Sequence, residues 1–547
     1  MCGFVALLND NEFSIKNLLN SISHRGPDSS KTLTTENWKF GFNRLGIVGD
    51  NEFDQPYSEN DNVNILVFNG EIYNYKELAA NYLPHIKEVR SDTQILYNLL
   101  LYCGTSIIQK LDGIFAFIFV ETISGTSVVC RDEFGVKPLY FHYKKGKSYF
   151  SSEVQPLVKI VKPEYSIVGL IEHFSFGVPL EDRTIYNDIS SFEPGTYTIF
   201  GRGGEKIKTD TFSFKSESII KKPLKKTLND AFDSQCPDIP FGVLFSGGVD
   251  STLILHQTHQ NPNMKLALSV NVDQVGMSEA SWQNIGFRTM NYIKKSVEIK
   301  QDEKTFSLEN LTSLISNLDL PISHPNFLGA LMLAKEAKEN SIKVLLSGEG
   351  ADEIFMGYRW FIQKEFKNLD ALSYIPPDLV TKALGGNIEV AYENINKLNC
   401  KNFFITHYLK KWLFRADLTG MAHSVEVRVP FLAGAIVNAA KSISSDEMTD
   451  FGATTKSPLK KIVEKVFGGD YANRKKIGFD YPLNDWVGSE YTDYLQKNNN
   501  IFRSDVIKDI CEKKDTHYHY PRLIFLLTAF TVWEKTNQLN FNRGNYE

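Results

Sequence analysis

"PFGVLFSGGVDS", Pro240–Ser251, is the stretch whose reading decides the fold of the larger part of this chain. Its first half is a short apolar run of the buried-strand type, and it runs directly into a glycine turn. The residues beyond, "VDSTLILHQTHQ" (249–260), read as a helix. The pattern then repeats. "KLALSVNV" (265–272) reads as the next strand, "LGALMLAKEAKENS" (328–341) as a helix, and "IKVLLSGEG" (342–350) as a strand ending in a second glycine turn. Apolar strands separated by helices require a parallel sheet with βαβ crossovers. Such sheets present ligands where a strand hands over to a helix.

The chemistry of the two turns fits that position. Gly247 and Gly248 let the backbone approach an anion, and Ser246 and Ser251 offer hydroxyls. The helix start adds N–H donors with partial positive charge. Asp250 suits a Mg²⁺ ion bound to pyrophosphate better than a bare phosphate. The rival reading is a glycine turn capped by serines, because short glycine motifs also match by chance. The absence of G-x-x-x-x-G-K-[ST] disfavours a γ-phosphate kinase or GTPase. In "LLSGEGADEIFMGY" (345–358), Ser347 and Gly348 can line a nucleotide, Glu349 can act as a base and Asp352 can hold a metal. An exposed acidic loop is the rival there, but two such turns in one parallel sheet favour a binding cleft.

Upstream, the pattern is different. "NILVFNGEIYNY" (64–75), "GIFAFIFVE" (113–121) and "SVVCRDEFGVKPLYFHY" (127–143) are β-like runs bounded by turn signals, with a helix-like segment at 92–104. This half reads as a sheet-rich layered domain closing near 193–210, which places the domains at 1–205 and 206–547. Beyond about residue 360 the chain reads as mainly helical.

Bulk properties narrow the partners. The 547 residues suffice for roughly two to four domains. A formal net charge of −5 gives no bulk electrostatic case for nucleic acid or an anionic membrane. The six cysteines form no CxxC pair and no zinc spacing; Cys103 and Cys130 read as core residues. No apolar stretch reaches membrane-span length and the start lacks a secretory signal, so the cytoplasm is the default compartment. The chain begins "MCGF". If the initiator methionine is clipped, Cys2 becomes an N-terminal cysteine whose α-amine can take the thiol proton, as in N-terminal threonine nucleophiles.

"GVLFSGGVDS", "VLLSGEGADE", "MAHSVEVRVPFL" (421–432) and "RKKIGFDYPLNDW" (474–486) together resemble the synthetase domain of the asparagine synthetase family. The resemblance implies that the glycine loop binds the pyrophosphate of ATP with Mg²⁺, and that a carboxylate attacks the α-phosphorus to give an acyl-adenylate. It further implies nucleotide contacts from Leu244, Val270, Ser347 and Gly348, an acid or base role for Glu349, and charge stabilisation by Lys456. A phosphorus centre crowded with negative oxygens needs such fixed positive charge.

Glutamine-using members of the family carry a glutaminase domain with cysteine at position two. "SHRGPD" (23–28), "RLGIV" (44–48), "FNGEIYN" (68–74), "SDTQIL" (91–96) and "RDEFGVKPLY" (131–140) resemble its motifs. By that resemblance Cys2 attacks the glutamine amide, and Asn69 and Gly70 stabilise the oxyanion. Arg44 then takes the substrate α-carboxylate, Glu71 and Asp92 its α-ammonium, and Arg25 braces the Cys2 end. Taken singly, Arg44 is a surface charge and Asp92 a helix N-cap. The implied fold is an αββα N-terminal-nucleophile glutaminase joined to a parallel-sheet adenine nucleotide alpha hydrolase-like domain with a helical extension. The implied reaction amidates a carboxylate acceptor, aspartate in the first instance, with release of AMP, pyrophosphate and glutamate. A homodimer and an internal, largely apolar ammonia tunnel are further implications.

Departures from the family pattern bear on the acceptor. Leu418, Gly420 and Ala433 stand where a basic residue, a serine and an aspartate are usual. "DLPISHPN" (319–326) places His324 and Asn326 beside the acceptor site, as substrate contacts or as caps of the following helix. The alternative acceptors are sugar acids and natural-product intermediates. A β-lactam-type cyclase would have lost Cys2, and a silent regulator would show erosion of Cys2, Asp250 or Glu349; all three are retained.

Overall fold

The computed structural model describes residues 2–49, 51–59, 63–215, 222–272, 278–363, 373–385, 403–475 and 481–543. Residues 476–480 of the quoted 474–486 motif, and Cys400, lie outside them.

The first unit is built from two antiparallel sheets. One joins β1 (Gly3–Leu8), β2 (Ser29–Thr34), β3 (Trp38–Arg44), β7 (Tyr140–Lys144), β8 (Lys147–Ser151) and β9 (Ser190–Ser191) in the order β2-β3-β1-β8-β7-β9. The other joins β4 (Asn64–Ile72), β5 (Gly113–Glu121), β6 (Thr126–Arg131), β10 (Thr196–Phe200) and β11 (Lys206–Thr211) in the order β11-β10-β6-β5-β4. Strand alternation assigns each face. Phe4 and Ala6 of β1 meet Ile65, Val67, Ala116 and Ile118 of β4 and β5 in a core between the sheets. Leu66, Phe68, Phe115 and Phe117 point the other way, onto Ile95, Leu96 and Leu99 of a helix at Asp92–Cys103. Val5 and Leu7 face Leu18 of α1 (Ile15–Asn20) and Leu157 of a helix at Val154–Val161. We label those two helices α2 and α3. The four layers are therefore αββα.

The boundary expected between 205 and 206 falls inside the β10–β11 hairpin. Gly201, Gly203 and Gly204 make the hairpin turn, and Lys206 and Lys208 belong to the strand after it, which pairs back onto the same sheet, to Thr211. Cys130 is fully buried as expected, whereas Cys103 ends α2 and is only half-buried.

The second unit has a parallel sheet of β12 (Phe241–Leu244), β13 (Met264–Val272), β14 (Lys295–Gln301), β15 (Val344–Leu346) and β16 (Glu426–Arg428), in the order β14-β13-β12-β15-β16. α4 (Val249–Thr258) follows β12 and α5 (Asn326–Glu339) precedes β15. α6 (Leu409–Met421), α7 (Ser457–Phe467) and α8 (Tyr520–Arg543) belong to the helical extension. β16 corrects the reading of everything beyond 360 as an extension. Its three residues complete the sheet, pairing Leu346 opposite Arg428.

The units share apolar cores, in one of which Leu170 and Phe174 of the first pack with Phe327, Phe530 and Trp533 of the second. Polar ties reinforce it. Asp319 accepts hydrogen bonds from the backbone N–H of Val154 and Gln155 at 2.9 Å each, capping α3 from the other unit. The Arg25 guanidinium meets Asp417 at 2.8 Å. Among the described residues no helix is long and apolar enough to cross a membrane.

Candidate active sites

Cys2 stands just ahead of β1, half-buried, with its backbone N donating to Asn69 Oδ1 at 3.1 Å. Arg25 Nε donates to the Cys2 carbonyl at 3.2 Å, which places Arg25 as the expected brace. The amide nitrogen of Asn69, Nδ2, is buried and has no hydrogen-bond partner among the described residues. Gly70 follows with φ +152°, and a Cβ there would lie 2.0 Å from the Ile114 carbonyl oxygen, so only glycine fits. Burial pushes the Cys2 thiol above its ordinary value.

A small cavity adjoins Cys2, lined by Arg44, Gly70, Glu71 and Asp92 together with Gln55, Thr93 and Glu426. Arg44, at the end of β3, donates to the Gly49 carbonyl at 2.6 Å and pairs with Asp54 at 3.1 Å. Asp92 is not the N-cap of α2. Ser91 caps, accepting from Thr93 N, and Asp92 begins the helix with its carboxylate on Thr93 N (2.8 Å) and Ile72 N (3.2 Å). The shorter Ser91 side chain takes the cap, which leaves the Asp92 carboxylate lining the cavity. Burial raises both acids, Asp92 to about 6 and Glu71 to about 8, the latter against the pull of the Arg428 guanidinium.

The second site is a cleft at the C-terminal ends of β12, β13 and β15. Leu244, Ser246, Asp250, Ser251, Val270, Ser347 and Gly348 line it, as do Glu349 and Asp352. Gly247 and Gly248 form the turn into α4; Gly247 has φ +75°, and Gly248 is the residue ahead of the first helical turn. The serines hold the turn themselves, Ser246 Oγ against Ser251 Oγ at 3.2 Å and Gly248 N on Ser246 Oγ at 3.3 Å. Leu268, Leu333 and Leu345 make an apolar wall suited to a nucleobase.

Lys456 is buried, at 5% exposure. It sits 2.6 Å from Asp250 and 2.7 Å from Asp352. Two carboxylates facing one point, without a third protein ligand, suit Mg²⁺ shared with substrate phosphates rather than an all-protein cage; no cluster of three or more metal-ligating side chains occurs among the described residues. Glu349 pairs with Arg415, whose guanidinium lies 4.7 Å from the Trp412 ring centre.

His324 and Asn326 both line the cleft. His324 Nδ1 accepts from the backbone N of Asn326 at 3.2 Å, capping α5. Asn326 Oδ1 is buried in the cleft wall without a hydrogen-bond partner among the described residues. Gly420 also has a local reason. A Cβ there would lie 2.5 Å from the Val425 carbonyl oxygen, which leaves no room for the serine usual in the family.

Reading by residue type misses Arg474, Arg415, Glu426 and Arg428. Arg474 donates to the Gly247 carbonyl at 3.2 Å and pairs with Glu279 at 2.9 Å, bracing the glycine loop. The only signal for Arg474, Glu426 and Arg428 was membership in the 421–432 and 474–486 motifs, and Arg415 lies outside both. A cavity at the interface between the units is lined by Val136, Leu413 and Phe414 together with Arg25, Glu153, Asp319 and Asp417, and most of its lining surface is apolar.

A family model described as glutamine amidotransferase domain matches residues 1–212, and one described as asparagine synthase matches 223–535. Fold and sites thus define a two-site ligase, an amidotransferase unit fused to an ATP-using synthase unit. The chain belongs to the asparagine synthase family and is a glutamine-dependent carbon–nitrogen ligase. It is 29% identical to "Asparagine synthetase [glutamine-hydrolyzing] 1" of Bacillus subtilis (strain 168), over 98% of this chain and 97% of that one. A putative asparagine synthetase of Mycobacterium tuberculosis is 25% identical over 85% of this chain and 83% of its own length. Asparagine synthetase B of Escherichia coli (strain K12) is 26% identical over 87% of this chain and 79% of its own.

Proposed function

We propose that the protein converts aspartate to asparagine in the cytoplasm, with glutamine as nitrogen donor and ATP as the activating substrate. The observation that carries the glutaminase half is the buried, unpartnered Nδ2 of Asn69 beside Cys2. A donor left unpaired in a protein interior costs stability, and one aimed at a nucleophile is repaid when an oxyanion forms.

In this reading, removal of Met1 turns the Cys2 nitrogen into a free amine that keeps Asn69 Oδ1 as its partner. A thiol raised by burial needs a base, and that amine, on the same residue, can serve as one. The thiolate attacks the amide carbon, and the oxyanion takes hydrogen bonds from Asn69 Nδ2 and Gly70 N–H. Its collapse breaks the C–N bond and expels ammonia, which carries off the proton the amine took from the thiol; water then hydrolyses the Cys2 thioester to release glutamate. Glu71 and Asp92 hold the α-ammonium, and Arg44 the α-carboxylate.

In the cleft, Leu244, Val270, Ser347 and Gly348 contact the nucleotide, and the Ser246–Ser251 loop takes the pyrophosphate. Asp250 and Asp352 would hold Mg²⁺, which supplies charge neutralisation at the phosphates when bound. Lys456 meets the negative charge that grows on the α-phosphate. Glu349, held by Arg415, acts on the acceptor or the incoming amine. A different carboxylate acceptor is the second reading, favoured by the unpaired Asn326 Oδ1 in the cleft wall.

The test measures pyrophosphate release with ATP, Mg²⁺ and glutamine across a panel of carboxylates. Stimulation by aspartate supports the reading; release with another acid and none with aspartate moves it to that acid. Cys2→Ala should lose glutamine-driven synthesis and keep ammonium-driven synthesis, and loss of both would refute the two-site scheme.

A further inference from the structure

The segment 421–432 has no role in the scheme above, yet it reaches the glutamine cavity. β16 pairs with β15, and the Arg428 carbonyl accepts from Ser347 N at 2.9 Å, at the first residue of the nucleotide turn. The side chains of the same strand cross into the other unit. Glu426 lines the cavity beside Cys2. Arg428, 2% exposed, directs each arm of its guanidinium at a different oxygen: Nη2 to Glu71 Oε2 at 2.8 Å, Nε to Glu426 Oε1 at 2.6 Å, and Nη1 to the Gln235 carbonyl at 2.9 Å.

The need for a cation there follows from the neighbours. Glu71 is faced by Asp92 from α2 and Glu426 from β16, both acidic, by the Cys2 thiol and by Tyr73 just after β4; Arg44 from β3 lines the same cavity, and the amino-terminal cation adds its pull to that of Arg428. Three carboxylates in one buried cavity repel one another and favour protonation. Burial and those neighbours raise Glu71 even with Arg428 in contact.

We infer that Arg428, from the synthase unit, is a positioning residue for glutamine binding: its guanidinium fixes Glu71 to receive the glutamine α-ammonium, so the cavity around Cys2 is complete only when both units are present. The inference rests on the reading of that cavity as the glutamine site. A lysine cannot reproduce three directed arms, so the position calls for arginine.

The experiment uses the full chain and follows glutamate release against glutamine concentration across about pH 6 to 9, for wild type, Arg428→Met, Arg428→Lys, Glu71→Gln and the double variant. Without the guanidinium, Glu71 stays protonated to higher pH. Arg428→Met should therefore raise the KM for glutamine about tenfold or more near neutrality with a smaller change in kcat. The acid limb of kcat/KM should move up by about one pH unit or more. Arg428→Lys should recover part of both effects. In the Glu71→Gln background, Arg428→Met should add little to KM, because the group it positions is already gone.

Equal losses in kcat and kcat/KM with an unmoved acid limb, or additive effects in the double variant, would overturn the inference. Thermal unfolding reports whether each variant is folded. If Arg428→Met is not, Arg428→Lys decides alone, and a wild-type KM and acid limb in that protein refute the role. A wild-type chain that releases no glutamate from glutamine refutes the glutamine reading itself, whereas a wild type that does, with unaffected Arg428 variants, refutes only this inference.

Discussion

Replacing Asn69 separates a catalytic donor from a structural one. The side chain makes one described hydrogen bond, from Cys2 N to Oδ1 at 3.1 Å, and leaves Nδ2 buried and unpaired. Asn69→Ala therefore loses one ordinary hydrogen bond, worth about 1 kcal/mol, while also removing an unsatisfied buried donor. The net change in stability should stay within about 1 kcal/mol. The reaction has more to lose. An oxyanion donor of this kind contributes about 2.7–4 kcal/mol, so kcat for glutamine hydrolysis should fall about 10²–10³-fold. Asn69→Asp keeps an acceptor for Cys2 N but sets a negative charge against the oxyanion, and should be no better than alanine. Glutamate release, ammonium-driven pyrophosphate release and thermal unfolding are read on the same preparations. A kcat within about threefold of wild type, or a fall in ammonium-driven synthesis as large as the fall in hydrolysis, would refute the assignment of Nδ2 to the oxyanion.

Two further outcomes follow from the second site. Lys456→Met leaves Asp250 and Asp352 facing each other around a missing ammonium; pyrophosphate release should fall at least about 10²-fold, and added Mg²⁺ should raise the variant's melting temperature more than the wild type's. Glu353 is buried beside Asp352, accepts from the Tyr358 hydroxyl at 2.6 Å, and is raised to about 8 from an ordinary 4.5, by burial first. The folded chain then keeps a proton that the unfolded chain releases, so this group's stabilising contribution is complete below about pH 4.5 and is lost as pH rises toward 8. Glu353→Gln should flatten that fall, by up to about 1.4 kcal/mol per pH unit, in denaturant titrations at several pH values; an unchanged slope would show the carboxyl to be ionised in the fold.

The legible parts of the molecule are those in which one local signal serves one local structure. The strand-to-glycine handovers at Leu244–Gly248 and Leu346–Gly350 are such cases, because a buried parallel strand must be apolar and a tight turn at a ligand must lack side chains. The alternation in β4 and β5 is equally readable. What escapes is whatever depends on a distant partner. Lys456 looks like any lysine until Asp250 and Asp352 are brought to it by the sheet. β16 has three residues, two of them charged, and becomes a strand only because β15 offers it an edge. Asp92 carries the composition of a helix cap, but Ser91 takes that place, and its carboxylate is turned to the cavity by contacts that no neighbouring residue announces.

Asp319 gives the two units a dependence that is not symmetrical. The first turn of α3, a helix of the amidotransferase unit, has Val154 and Gln155 N–H groups answered by a carboxylate that the other unit supplies, and Gln155 Nε2 also donates to the Asp319 carbonyl at 3.1 Å. An amidotransferase unit cut free at about residue 212 would carry an uncapped helix start and the bare apolar face of Leu170 and Phe174. Gene fusions that transplant this unit onto a new synthase partner must therefore bring a replacement for that acid along with it. The seam between the halves is one that recombination cannot cross at will.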